Sequence, residues 1–396
     1  MHIELHHSFF APIKGGQETR MHALAREFLR DGHRVTVVVP VEGVDQRGIY
    51  ESAGIQFLLH PSFWTRAPKS LIEPVLYASA LTKFLRKKHR PEPPDLVLCF
   101  NYVYAAAAKR VWPRSPVGFL PGAAIWDWHS SLRGHRNLLT RALLNLKLPA
   151  ALFIERQAMS LAEKIYVEGQ LLKSRMLRFH AAAKDKISIL PAPVDTCRFG
   201  PSEEGRRRMR NELRITENTK VILGVGRLDR NKNFETLIRA ASLVAGGQWL
   251  VLIVGKGSEG ENLRGLSSSL GLSQKVRFLD HRTDIEVVYS GSDIFTHPSI
   301  LESYGNVALE AMATGLPCIV SKGRKVGISY ELTDGVNALL ADPDDPREWA
   351  ARIELLMKDS HLSRKLGQEA RKFCEARPHW KDIASALSRD LLDRGA

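Results

Sequence analysis

Residues 293–321, DIFTHPSILESYGNVALEAMATGLPCIVS, decide the fold, because a short apolar run, a polar loop, a small-residue helix and a second apolar run follow one another without a gap. Asp293 to His297 reads as a strand stopped by Pro298, whose ring removes an amide donor. Ile300 to Ser303 leads to a helix starting near Gly305-Asn306, and Gly315 followed by Pro317 ends it in the order of a helix C-terminus. A helix that starts beside a strand's carboxyl end points its free amides and positive dipole end at the crevice where open parallel sheets bind ligands, and favours a phosphate there. Two carboxylates flank that position, Glu302 just before the helix and Glu310 just inside it. Acidic residues at helix starts commonly only cap amides or offset the dipole. A carboxylate also accepts from two vicinal hydroxyls at once, so one on each side of a phosphate site suits a sugar and a ribose.

The pattern H-P-S-x-x-E-S-Y-G-N-x-x-L-E-A-M-A-x-G-x-P over His297 to Pro317 closely resembles the donor-site signature of the retaining nucleotide-sugar glycosyltransferases of family 4. The resemblance implies an α/β chain of the GT-B fold, with two Rossmann-like doubly wound domains and a cleft between them. It implies that Glu302 contacts hydroxyls of the donor sugar and that Tyr304, Gly305 and Asn306 belong to the donor site, with the Gly305-Asn306 amides on the diphosphate. Glu310 would take the ribose hydroxyls. The expected co-substrate is a nucleotide diphosphate sugar, with no cofactor and no metal.

At 396 residues the chain exceeds the size at which one core stops growing, so two domains are expected. The boundaries read as 1–195 for an acceptor-side domain and 196–378 for the donor domain, with a final helix in 379–396 that the resemblance returns to the first domain. Cys99, Cys197, Cys318 and Cys374 are scattered and form no close pair of the kind that binds zinc, which fits reduced thiols in a cytoplasmic protein. The opening MHIELHHSFFAP has no basic segment leading into a signal-like apolar core and reads as a first strand. Leu138 to Ile154 is interrupted by Arg141 and Lys147, so it does not read as a simple membrane span.

The net charge of +14 is unevenly placed: residues 61–180 hold nineteen Lys and Arg against seven Asp and Glu. A basic surface draws anionic partners. The stretch Leu132 to Phe153 mixes cations with leucines as an interfacial helix does, and a buried helix with a solvated basic face explains it about as well. An anionic membrane surface on the inner face is therefore a candidate partner through 132–153, beside a carbohydrate or lipid-linked acceptor. No helix-turn-helix or aromatic RNA-binding signature is legible, so no nucleic-acid partner is expected.

In chain order, MHIELHH, a helix from about Gln17 to Arg30 and HRVTVVVP form a βαβ opening. Gly15-Gly16 lies at the helix start, where missing side chains let the backbone approach a ligand. A tight turn accounts for the pair equally, and the resemblance adds that a glycine-rich loop here faces the donor phosphates. His2, His6 and His7 read as strand and loop residues rather than metal ligands, since no acidic partner accompanies them. Apolar runs alternate with helices through 195, as strands buried on both faces do. In GAAIWDWHSS, where the family often carries a reaction-centre histidine, Asp127 and His129 are both available beside Trp126 and Trp128, whose rings could stack on a sugar, and spacing does not choose between them.

LPAPVDTCRF resembles the family's hinge, with Ala192-Pro193 in place of the common Asn-Gly, and SEEGRRRMRNEL reads as a charged surface helix. The strand KVILGVGRL ends at Arg227, and Lys232 follows before the next helix. The G-R-L-x-x-x-K-N pattern resembles the family's diphosphate clamp and implies that Arg227 and Lys232 neutralise charge on the leaving group. Gly255, Gly257 and Gly260 also meet the dinucleotide fingerprint, with Asp280 about twenty residues on, so an NAD-dependent oxidoreductase is the alternative. Against it, that motif sits on a later strand of its domain and leaves Glu302 and Glu310 unexplained. By resemblance the loop Asp280 to Thr283 holds the nucleotide base through backbone groups, which leaves the base unreadable.

Overall fold

Runs such as WLVLIV at 249–254 are apolar without alternation because both faces of the strand are covered. Val221 and Leu223 enter one hydrophobic cluster and Ile222, between them, enters another on the opposite face of the sheet. The computed structural model describes residues 1–8, 16–41, 48–61, 73–88, 92–125, 138–323 and 325–392. Two units emerge, Met1–Pro191 with Trp380–Ala396, and Ala192–His379.

The first unit runs β1 (His2–His6), α1 (Gly16–Arg30), β2 (Arg34–Val41), β3 (Gly48–Ser52), β4 (Ile55–Pro61), α2 (Glu73–Lys88), β5 (Leu96–Cys99), α3 (Tyr102–Val111), β6 (Val117–Phe119), α4 (Leu138–Leu161), β7 (Lys164–Val167), α5 (Gln170–Phe179) and β8 (Ile187–Ile189). Its sheet has the order β3-β4-β2-β1-β5-β6-β7-β8. The short edge strand β3 has no place in the sequence reading and pairs antiparallel with β4, whereas β1 pairs parallel with β2 and β5.

The second unit holds α6 (Glu203–Leu213), β9 (Lys220–Val225), α7 (Phe234–Ala241), β10 (Trp249–Val254), α8 (Gly260–Ser269), β11 (Val276–Leu279), α9 (Ile285–Gly291), β12 (Ile294–His297), α10 (Asn306–Ala313), β13 (Cys318–Ser321), β14 (Leu339–Ala341), α11 (Pro346–Lys358) and α12 (Ser360–Glu375). Its parallel sheet has the order β11-β10-β9-β12-β13-β14. The last helix, α13 (Trp380–Leu392), buries Ile383, Ala384, Leu387 and Leu391 in the same cluster as Ile3, Leu5 and Leu24 of the first unit, and Tyr166 donates to Asp390 at 2.7 Å.

Two sequence expectations are corrected here. The helix α6 is not simply a charged surface element, because its amphipathic turn sends Met209 and Arg210 inward. Arg210 Nη2 donates to Asp293 Oδ2 at 2.6 Å, and that carboxylate also accepts from Val221 N at 2.8 Å. The early histidines do have an acidic partner: His6 Nε2 and Glu4 Oε2, both buried, lie 2.8 Å apart. Residues two apart on a strand share a face, which is why the pair meets.

Candidate active site

In the second unit β9 lies between β10 and β12, so the chain winds outward from β9 to β11 on one side and from β12 to β14 on the other. The carboxyl ends of β9 and β12 are thus a topological switch point, where loops diverge and leave a crevice for ligands. Beyond β9, Asp229 caps the short turn Arg230–Lys232 by accepting from the amides of Asn231 and Lys232. Beyond β12, Ile300 N donates to Asn231 O at 2.8 Å and ties the two loops together.

This tie brings Lys232 Nζ onto Glu302 Oε2 as an ion pair. The side chains keep 14% and 22% of their surface exposed, so the pair remains reachable by a ligand. Burial pushes the Glu302 carboxyl up, but the charge of Lys232 and its hydrogen bond outweigh that and hold it below the usual carboxylate range. Behind the pair, His297 is buried and stacked on Phe295 at an interplanar angle of 16°. Burial, then the Lys232 charge, pushes its pKa down to about 4, so the ring is neutral near pH 7. Arg227 projects outward with 78% exposure, its Nη2 3.5 Å from Asp229.

At the start of α10, Gly305 has φ 118°, and a Cβ there would lie 3.2 Å from both His297 Nε2 and Ile328 Cγ2. His297 Nε2, Ser299 Oγ and Asn306 Oδ1 are buried without a hydrogen-bond partner among the described residues. Orphaned polar atoms are costly, about 1–3 kcal/mol each, and two of these, His297 Nε2 and Asn306 Oδ1, stand at the start of α10. Further into α10, Tyr289 Oη donates to Glu310 Oε2 at 2.9 Å and lies 3.2 Å from Val307 O. Burial pushes the Glu310 carboxyl up to about 7 against that hydrogen bond. Tyr304, grouped with the donor residues by its place in the motif, turns inward, and its hydroxyl is held by Arg377 Nη2 at 2.6 Å.

The sequence profile of the family described as Glycosyl transferases group 1 matches residues 205–373, and that described as Glycosyltransferase Family 4 matches residues 14–198. The chain belongs to the family-4 glycosyltransferases. Its fold is GT-B. A D-inositol 3-phosphate glycosyltransferase of Corynebacterium jeikeium is 34% identical over 247 residues, covering 59% of this chain and 58% of that protein. The chain is thus matched to little more than half the length of this curated relative. Among solved structures, sucrose-phosphate synthase from Thermosynechococcus elongatus superposes with a TM-score of 0.81 at 21% identity over 99% of both chains. Anabaena Alr3699/HepE in complex with UDP and glucose does so with 0.74 at 20%, over 99% of this chain and 100% of that one.

In this family member the structure gathers Lys232, Glu302, Gly305 and Asn306 at one switch point, with Arg227 on the adjoining loop and Glu310 within α10. Gly16 is the first residue of α1 in the other unit, while Gly15, Asp127 and His129 lie outside the described residues. The dinucleotide-like glycines have a packing explanation: a Cβ at Gly255 would lie 1.9 Å from Gly226 O, and one at Gly257 2.3 Å from Leu228 O. Their missing side chains admit neighbouring backbone, and the strand before them is β10 rather than the first strand of its sheet. Among the described residues no three His, Cys, Asp or Glu side chains gather as a metal set. Sequence reasoning missed Tyr289, His297 and Arg377; only His297, placed at a strand end within the motif, carried a local signal.

Proposed function

We propose that the chain moves a sugar from a nucleotide diphosphate sugar to an acceptor hydroxyl with retention of configuration and without a metal ion. The observation that carries this reading is the Lys232–Glu302 pair at the β9/β12 switch point beside the open start of α10. A diphosphate brings its charge to Lys232, Arg227 and the α10 amides, where charge-assisted hydrogen bonds are strong. Lys232 then turns to the phosphate and frees the Glu302 carboxylate to accept from the sugar hydroxyls, while Glu310 accepts from the ribose. As the bond from C1 to the phosphate oxygen breaks, Arg227 and Lys232 neutralise the charge that develops on the diphosphate. The new bond forms between C1 and the acceptor oxygen, whose proton passes to a phosphate oxygen. That route dispenses with a separate acid and base carboxylate pair.

The acceptor in this reading is a carbohydrate or a lipid-linked saccharide of cell-surface polysaccharide, lipopolysaccharide or glycolipid synthesis, met at the inner membrane face. Leu146 and Phe153 of α4 are 56% and 53% exposed and stand seven residues apart, two turns along one helix face, with Arg156 exposed beyond them. Exposed apolar side chains beside an exposed arginine suit shallow contact with anionic lipid. Among the described residues no helix is long and apolar enough to cross a membrane.

Thermal unfolding with UDP, GDP, ADP and NAD in turn tests the reading. A ligand at about a hundredfold its dissociation constant adds roughly 2.7 kcal/mol, a shift of several degrees. One nucleotide diphosphate is expected to stabilise and NAD not. Stabilisation by NAD alone overturns the assignment and favours the oxidoreductase.

A further inference from the structure

Arg377 lies just before the chain leaves the second unit at His379, and its buried guanidinium joins three separate segments. Nη2 donates to Tyr304 Oη at 2.6 Å, Nη1 to Glu331 Oε2 at 2.7 Å and Nε to Ala192 O at 2.7 Å. Its Cζ also lies 5.6 Å from the Tyr304 ring centroid and 5.2 Å from that of Phe373. Each partner has a position that matters. Tyr304 stands between Glu302 and Gly305 in the loop that leads into α10. Glu331 follows the short turn Ile328–Tyr330, next to the segment that zips onto that loop through Glu302 N to Lys325 O, Gly327 N to Glu302 O and Ile328 N to Tyr304 O. Ala192 is the first residue of the unit.

A buried ion pair is a poor source of net stability, since desolvating two charges offsets most of their attraction. Its contribution here is geometric. The guanidinium is a rigid planar fork, so three acceptors in fixed directions leave it one position, and the phenol bound to it is fixed in turn. The loop from Pro298 to Gly305 belongs to no helix or sheet ladder, and anchors of this kind therefore set where Glu302 stands.

We propose that Arg377 is a positioning residue for the donor site: through Tyr304 it fixes the loop carrying Glu302 and Gly305, and through Ala192 it ties that loop to the segments where the chain enters and leaves the unit. The proposal rests on the donor-site reading above for its catalytic meaning, and its physical content is tested separately.

The test compares Arg377→Met, which keeps much of the apolar stem, with Tyr304→Phe, which removes only the hydroxyl. Hydrogen exchange at the amides of Glu302, Gly327 and Ile328 should quicken by about fivefold or more in both variants, while Ile222 and Val251 in β9 and β10 keep wild-type rates. Each variant is also titrated with UDP, GDP and ADP. Affinity for whichever binds should fall roughly tenfold in each, and the double variant should lose little more than Arg377→Met alone, since both changes cut the Arg377–Tyr304 contact. Wild-type exchange and affinity in Tyr304→Phe overturn the proposal, whatever Arg377→Met does to folding. Should the wild type bind none of the three nucleotides, the nucleotide-sugar reading fails, and the exchange rates alone decide the role of Arg377.

Discussion

Lys232 and Glu302, seventy residues apart in sequence, form an ion pair across the loops that follow β9 and β12. Lys232→Met removes the strongest of the influences that hold the Glu302 carboxyl down against its burial, so the Glu302 pKa rises. We expect transfer to fall about 100- to 1000-fold, as when one preorganised charge donor is lost, and the acid limb of the pH–rate profile to move to higher pH. An unmoved acid limb, measured on the residual activity, would count against the pair.

Glu310 gives a second pH dependence. Burial raises its folded-state pKa to about 7, above the unfolded value, so the folded state holds a proton that the unfolded state has released. Stability from this group is complete below the unfolded pKa and is lost as pH rises toward about 7. Nucleotide affinity should move the opposite way and grow through the same range, because the carboxylate accepts two hydroxyls better than the neutral acid does. Glu310→Gln should flatten both profiles, which denaturant titration and nucleotide binding from pH 5 to 8 would reveal.

The pair of buried Arg210 and half-buried Asp293 holds α6 against the start of β12. Asp293→Asn leaves the buried Arg210 charge with only the more distant, exposed Glu217 carboxylate at 3.9 Å, and breaking a fully buried pair costs about 3–5 kcal/mol, an upper bound here. Urea unfolding is the check, with nucleotide affinity at saturating protein stability expected to remain near wild type. A midpoint unchanged from wild type would show that the Arg210–Asp293 pair contributes nothing net to holding α6.

Gly305→Ala meets a different obstacle. A φ of 118° strains any side-chain-bearing residue, and the added methyl presses on His297 and Ile328. We expect a stability loss of about 1–3 kcal/mol together with a larger fall in nucleotide affinity, because relief requires the α10 start to move. Equal affinity in the variant and the wild type would place the phosphate site elsewhere.

The exposed apolar side chains on α4 predict salt-sensitive sedimentation with anionic vesicles. Leu146→Ser with Phe153→Ser should weaken binding at low salt, and raising salt should weaken it further, since each surface cation contributes about 1 kcal/mol near such lipid. Absence of binding at low salt would remove the membrane from the reading.

Much of the site was legible because it is local. The strand, loop and helix of residues 293–321 carry their own stop and start signals, so Pro298, Gly305 and Gly315 stand where sequence alone puts them. The alternative fingerprint at Gly255 and Gly257 was equally legible and misleading, because a glycine pattern records close backbone approach without saying what approaches. Here the neighbouring chain does. Helix α6 misled for a related reason: one Arg in a run of charges turns inward because Asp293 and the carbonyls of Thr216 and Thr219 accept from it there.

Sequence by itself determined that this chain builds parallel sheets, that a phosphate-suited helix start follows β12, and that carboxylates flank it, because strand period, helix caps and motif spacing act over a few residues. Only tertiary structure decided that Lys232 meets Glu302, that Tyr289 meets Glu310, and that Arg377 reaches Tyr304, Glu331 and Ala192 at once. Those partners lie 21 to 185 residues apart, and no local pattern encodes which distant side chain will fill a buried acceptor's direction. The order of strands in the sheet sets it, by bringing the ends of β9 and β12 side by side.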